Sequence, residues 1–585
     1  MDYPPLPKPG ADPEKDAWIA NFYMENHLAY EAFPDEVASP EQLKFMVWLE
    51  NEPYFYPCTD ETFHSIINKT AGESLVMRYM KVWEKIEPLV KSLVEDSYRR
   101  AYLLSMLRIK FRRESAPLVM LPTRLEKRLL QIFVRVSEIS RPLAREKEAM
   151  NRRVAELIES DSFKMALNDL EGLDRGSGTD LEKLNIEIIF LQLKRLLFLT
   201  AHPELWTGTA DTSVDNLRKL MKGPESHITQ ERLDRLKEFI KRGTESKETR
   251  YYLWMGPSAG SIMLDIAIIR ILIKLNIKVI MSVKHAFYYH AVTMDDVIED
   301  PVLQDALEDA DIITSTNISK NDLIDHLKSD KNLFVISDGT QERFNPLLTS
   351  VTFARAFKEC DHVISRHPDD SSCMLKTRFQ FTRDITVITS DRPGSILIEK
   401  KPHHPRVIRF SEKDLRMKAQ AMIMQLRMAK KQGKTIMFYS AIVGSIPHQI
   451  ETAKRILNVF VNYLREKQEG VVVINPGEHF EKGMDADDIM YMWEIVQRSG
   501  VIDIWRFQTV QDIEKAFELM GEKVPPEWVG KDATYSTGCT KEMQIAMEVQ
   551  KQYPEMQIIG PSWEKFMRRK EYGVGKLYDR AFGEL

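Results

Sequence analysis

The chain has few cysteines. Four in 585 residues (Cys58, Cys360, Cys373 and Cys539), far apart and with no Cys-x-x-Cys pair, argue against a disulfide framework, a structural zinc knuckle and an iron–sulfur cluster. It also lacks an excess of either charge. Its 82 Lys and Arg stand against 87 Asp and Glu, a net charge of -5, so nothing advertises a nucleic-acid partner. A long uninterrupted apolar run is missing as well. The most apolar stretch, 262–281, is broken by Asp265, Arg270, Lys274 and Lys278, which predicts a buried helix followed by a strand and no membrane span. The proline-rich opening has neither a basic start nor an apolar core, so no secretory signal is read. There is no fixed-period repeat. These absences predict a soluble, cytoplasmic protein without nucleic-acid or membrane partners, and they leave homo-oligomers open.

What is present is ordinary core material, 43% hydrophobic and 29% charged, in a chain long enough for two or three domains. Residues 1 to about 20 read as a loose arm. Within an expected helical N-terminal region, 1–245, the pattern is predominantly helical from about Pro40 to Lys241. Over 125–154, Leu129, Leu130, Phe133, Val134, Ile139 and Val154 sit among Arg, Lys and Glu as in long amphipathic helices. The basic run Arg99, Arg100, Arg108, Lys110, Arg112, Arg113 reads as a solvated helix face or, less simply, as a surface for an anion or an acidic partner. Residues 246–430 change texture. Short apolar strands at 251–254, 278–283, 311–316, 333–337 and 362–365 alternate with helical patterns, the mark of a doubly wound, mostly parallel α/β sheet. A hairpin of 385–390 with 396–400 closes it. Residues 431–585 repeat the alternation on a smaller scale, with strands expected at 435–443, 471–475, 501–507 and 557–560. The fold class is therefore α/β, with a helical N-terminal region, a parallel core and a smaller C-terminal α/β unit.

In such sheets ligands gather where strands end and helices begin. At 253–265 the sequence LWMGPSAGSIMLD offers Gly256, Ser258, Gly260 and Ser261 for a turn around phosphate or carboxylate. It has neither the P-loop ending nor G-x-G-x-x-G spacing. The segments AGSIMLDIAIIRILIKLNIKVIMSVK, AVTMDD and CDHVIS, spanning about 249–399, together resemble the damage-control phosphatases, metal-dependent enzymes catalogued as domain of unknown function 89. That resemblance implies a strand running into Asp-Asn-x-Gly-Glu, a second metal-binding Asp before Val-Thr, and a phosphate-binding Lys on a later strand. Here Pro257 and Ser258 stand for Asp-Asn, Ser261 for Glu, Ala291 for the second Asp and Arg366 for the Lys. A magnesium or manganese ion needs oxygen ligands that Pro and Ala do not have, so the family's metal site does not carry over and its phosphatase chemistry loses its Lewis acid.

Three readings remain open. In the first, a small anionic metabolite, phosphorylated or carboxylated, is bound and transformed without metal by the Gly256–Ser261 loop with Lys284, Asp338 and Arg366. In the second, His285, His290, Asp338, His367 and Asp369 form a rebuilt site for a transition metal in a metal-dependent phosphatase or hydrolase. In the third, the protein is a non-catalytic scaffold or partner-binding protein. His290 is also a candidate acid or base. The C-terminal unit adds Gly444, Ser445 and His448 after one strand, and Glu478, His479, Glu481, Asp485, Asp487 and Asp488 after the next. That second group reads either as a catalytic or metal cluster or as an acidic helix start. Cys539 near a predicted helix start could be an activated thiol, with His479 or His448 as its base, or a small buried residue in a capping turn. The segment EYGVGK at 571–576 reads as a lid, an anion contact or a simple turn.

Overall fold

The computed structural model describes residues 10–49, 55–171, 181–222, 249–366, 373–390, 393–446, 449–479 and 481–571. The chain divides into two compact units, Met1–Ala29 with Asp35–Pro405, and Tyr30–Pro34 with Arg406–Leu585.

The first unit begins earlier than the loose arm would suggest. A helix covers Pro13–Glu25, because Asp12 accepts hydrogen bonds from the Glu14 and Lys15 N–H groups and Pro13 fits the first turn, where its missing donor is no loss. Ile19 and Phe22 are buried by it. Helices α1 (Gly72–Leu93), α2 (Ser97–Ser115), α3 (Pro122–Ser137), α4 (Ala144–Glu159) and α5 (Leu181–Leu199) follow. The amphipathic pattern at 125–154 is not one helix. Glu138 and Leu143 take left-handed backbone conformations, and Pro142 lies between them, so the chain turns between α3 and α4.

A seven-stranded sheet comes next: β1 (Arg250–Met255), β2 (Ile277–Val283), β3 (Asp311–Ile313), β4 (Leu333–Ser337), β5 (His362–Ser365), β6 (Asp384–Thr389) and β7 (Leu397–Lys401). Its order is β3-β4-β2-β1-β5-β6-β7, parallel throughout except for the expected β6–β7 hairpin. All five residues of β4 are buried, the pattern of a strand covered on both faces. Helix α6 (Ser261–Lys274) follows β1, and α7 (Val351–Glu359) precedes β5. Val154 and Leu157 of α4 and Leu193 and Leu197 of α5 share one core with Trp254, Ile262, Ile269 and Ile364. The helical region and the sheet, expected as separate domains at 1–245 and 246–430, therefore pack as one unit.

The second unit begins at Arg406, before the expected boundary near 430, because α8 (Glu412–Lys431) packs on α10 (Ala486–Gln497) of that unit. Its four strands, β8 (Thr435–Ser440), β9 (Val471–Ile474), β10 (Ile504–Phe507) and β11 (Gln557–Ile559), are all parallel in the order β9-β8-β10-β11. Helices α9 (Ile450–Lys467), α11 (Val510–Met520) and α12 (Thr537–Gln552) complete it. In each sheet the connections reverse direction at one point, between β1 and β5 and between β8 and β10. Those are the places where such sheets open a crevice at their carboxyl edge. Among the described residues no helix is long and apolar enough to cross a membrane.

Candidate functional site

Strand register assembles the first site. Met255 lies beside Ser282 and Ser365, and Val283 beside Ser337, so Gly256, Lys284, Asp338 and Arg366 all leave the sheet at one edge. A small cavity of about 10 Å³ lies there, walled by Gly256, Pro257, Lys284, Asp338 and Phe344. Gly256 has φ +76, a conformation that favours glycine and lets the backbone turn off β1 at once. Lys284 is buried and donates to Asp338 Oδ2 (2.8 Å), the Glu342 carbonyl (2.8 Å) and Thr340 Oγ1 (3.3 Å). Asp338 also accepts from the Thr340 N–H and hydroxyl, each at 2.8 Å. This is a buried ion pair with its hydrogen bonds filled, the arrangement in which removing either member costs most.

The glycine loop is held from outside the sheet. The Gly260 N–H donates to Asn151 Oδ1 of α4 (2.7 Å), the Ala259 N–H to the His290 carbonyl (2.8 Å) and the Ile262 N–H to the Ser258 carbonyl (2.8 Å). Ser261 Oγ turns back to the Ser258 carbonyl (3.0 Å). A Cβ on Gly260 would fall 2.4 Å from the Trp206 side chain, so glycine is required by close packing there. Three donors expected to face a ligand are thus committed within the protein. Arg366 is committed too. Its Nε donates to the buried Asp265 of α6 (2.9 Å) and its Nη1 to the Ile388 carbonyl (2.9 Å). Burial pushes the Asp265 carboxyl up, with Arg366 opposing.

The residues at the resemblance's metal position do not fit a divalent ion. Pro257 and Ala291 provide no side-chain oxygen, and the Ala291 carbonyl accepts from Lys147 Nζ of α4 (2.8 Å), which also pairs with Asp296 (2.8 Å). The histidines go to different partners: His285 Nδ1 to Ser337 Oγ (3.3 Å), and His290 Nε2 to Glu146 Oε1 (3.0 Å). His367 and Asp369 lie outside the described residues. Among the described residues no group of three His, Cys, Asp or Glu is placed to hold a metal ion.

The sequence shows the apolar stripe of α3 but not its buried charges. Its periodicity gives Leu125, Leu129, Leu130 and Phe133 as the core stripe, yet Arg124, Glu126 and Lys127 are buried as well. Glu126 accepts from Tyr288 (2.9 Å) and Tyr289 (3.1 Å), and Arg343 Nε donates to Tyr288 Oη (3.0 Å). The only signal was the charged flank at helical spacing, which looks like any solvated face until something covers it.

In the second unit, Cys539 lies in the first turn of α12. Its N–H donates to the capping Ser536 hydroxyl (3.3 Å), and its buried thiol donates to the Ala441 carbonyl (3.3 Å). His479 packs edge-on against Trp493, and partial burial lowers its pKa. Glu478 forms a two-pronged pair with Arg465 (2.9 Å each), which holds its carboxyl below the usual range. Asp485 and Asp488 form a reciprocal cap at the start of α10, and Lys418 pairs with Glu481. His448 and residues 572–576 of the EYGVGK segment lie outside the described residues, while Ser445 is buried and Gly444 exposed.

Two further groups escaped the sequence. Glu542, one turn beyond Cys539, is buried and accepts from Gln497 Nε2 (3.1 Å); burial pushes its carboxyl up to about 7. Gln508, fully buried at the end of β10, accepts the Ile442 N–H through Oε1 (3.1 Å), while its Nε2 has no acceptor among the described residues.

No protein-family model matches the chain, and no curated protein matches it. Among solved structures it is similar to a crystal structure of a DUF89 family protein from Pyrococcus horikoshii, with 15% sequence identity, a TM-score of 0.35, and coverage of 54% of this chain and 90% of that one. A likeness that loose carries no argument, so the α/β reading rests on the strand order itself.

Proposed function

We propose that the first unit binds a small anionic metabolite, phosphorylated or carboxylated, at the carboxyl ends of β1, β2 and β4, and transforms it without a divalent ion. The observation that carries this reading is the cavity at that edge with the buried Lys284–Asp338 pair in its wall. An entering anion can replace the longest of the three Lys284 contacts, the 3.3 Å bond to Thr340, without leaving Asp338 unpaired. The pair then holds charge and a proton path beside the ligand in a site where water is scarce, which strengthens every electrostatic contact. The test is mass spectrometry of small molecules released on denaturing the purified protein, followed by calorimetry with phosphate esters and carboxylates. A retained or bound anion, lost in Lys284→Met and held at least as tightly by Thr340→Val, supports the reading. No anion retained and none bound, or undiminished binding by Lys284→Met, overturns it.

A further inference from the structure

Helix α3 buries two cations whose hydrogen-bonding capacity is not met. Arg124 is 5% exposed; its Nη2 reaches Glu36 at 3.7 Å, but Nε and Nη1 have no partner among the described residues. Lys127 is 8% exposed and forms no hydrogen bond or ion pair among the described residues. Glu342, 2% exposed, lies on the loop that follows β4, and that loop meets α3 through Gln341 with Gln131 (2.7 Å) and Arg343 with Glu126 (3.9 Å). Glu342 Oε1 accepts from Asn345 (3.1 Å), whereas Oε2 is buried without a donor. Burial lowers the pKa of both cations, and the strongest opposing charge acting on each is that of Glu342. Yet no ion pair joins Glu342 to either of them among the described residues. The neighbouring Arg128 is different: it is already matched by Glu114 and by the Glu25 carbonyl.

Three buried charges that feel one another without touching are costly as they stand. Arg124 keeps one contact at 3.7 Å, Glu342 one hydrogen bond and Lys127 none, so each has fewer partners than its burial calls for. What is unmet is specific in kind: donors on Arg124 and Lys127, and an acceptor on Glu342. A simple anion would satisfy the cations and be repelled by the carboxylate. A simple cation would do the reverse. A short molecule with an anionic oxygen group at one end and an ammonium at the other satisfies both. From this geometry we infer that Arg124, Lys127 and Glu342 form a binding subsite for a short zwitterion, its carboxylate or phosphate on the two cations and its ammonium on Glu342. The inference deepens the reading above and rests on it for placing a ligand at the end of β4. The Glu342 carbonyl accepts from Lys284 (2.8 Å), so one loop serves both groups.

The experiment titrates the full chain by calorimetry and thermal shift with acetate, inorganic phosphate, methylammonium, the twenty amino acids and phosphoethanolamine. The expected result is that an amino acid, or phosphoethanolamine, binds at least tenfold more tightly than any of the single-charge probes. An amino acid would identify the anionic end as carboxylate, and phosphoethanolamine as phosphate. Lys127→Met and Glu342→Gln each weaken the zwitterion at least tenfold, while Glu342→Gln tightens acetate or phosphate because the repelling carboxylate has gone. Lys127→Met raises the Tm of the unliganded protein, since it removes an unpaired buried charge. Zwitterions binding no better than their halves, or not at all, overturn the inference. So does a Lys127→Met protein that melts lower and binds unchanged. Zwitterion binding that survives Lys284→Met keeps this subsite and sinks the strand-end reading. Loss in Lys284→Met with no effect of Lys127→Met or Glu342→Gln does the opposite.

Discussion

The two sheets share a parallel, doubly wound plan and end in different chemistry. At the carboxyl edge of the first sheet the polar groups are full charges: Lys284 with Asp338, Lys147 with Asp296, and the unmatched Arg124, Lys127 and Glu342. At the corresponding edge of the second, beside one charged pair, Arg506 with Asp512, they are a thiol, two amides, a hydroxyl and Glu542, whose carboxyl is poised near neutrality. Strand order does not decide this. In the first unit α3 and α4 bring Arg124, Lys127, Lys147 and Asn151 to the edge, whereas in the second α10 and α12 bring Gln497, Cys539 and Glu542. The fold supplies an edge, and the covering helices supply its chemistry.

The largest effect that would test this contrast lies in the first sheet. Lys284→Met leaves Asp338 buried without its counter-charge and is expected to cost about 3–5 kcal/mol in urea unfolding. Lys284→Met with Asp338→Asn should recover part of that loss, because no charge is then left unpaired. A single-variant loss below about 1 kcal/mol would erase the distinction drawn between the two edges.

Glu542 gives the next effect. Its carboxyl keeps its proton up to about 7 in the folded chain, against an ordinary value of 4.5. Between those limits the folded state binds more protons than the unfolded one, so stability falls as pH rises through that window, by about 3 kcal/mol in total. Glu542→Gln should flatten that part of the profile. An unchanged slope would mean that Glu542 is not the group responsible.

The smallest effect is expected at Arg465–Glu478. This pair is well formed but exposed, so Glu478→Gln should change stability by less than about 1 kcal/mol. A larger loss would show that the acidic turn of the second unit is built more like the charged edge of the first.

Much of the architecture was legible because it follows from local rules. The strands at 251–254, 278–283 and 333–337, the β6–β7 hairpin and the capped acidic start of α10 follow from apolar runs, turn residues and a capping pattern. The strands expected at 311–316 and 435–443 stop at Ile313 and Ser440. Past Ser440 the chain leaves the sheet, and the Ile442 N–H turns to Gln508 Oε1. The candidate sites were less legible. Lys284 and Asp338 were picked out singly, but their pairing needs β2 and β4 to be neighbours, and they are 54 residues apart. Gly256 and Gly260 looked like an open phosphate turn because the sequence could not show Asn151 and Trp206 arriving over it.

The sequence by itself determined the α/β alternation, the side chains without oxygen at Pro257 and Ala291, and which loops leave strand ends. Composition and short-range periodicity fix those. Only the tertiary structure decided that the helical region and the first sheet are one unit, that the glycine loop's donors are already used, and that Arg124, Lys127 and Glu342 are buried. A charge written into a helix is the same letter whether it meets water or a carboxylate. Its solvation is set by what packs over it, and for Arg124, Lys127 and Glu342 that depends on chain segments some 200 residues apart.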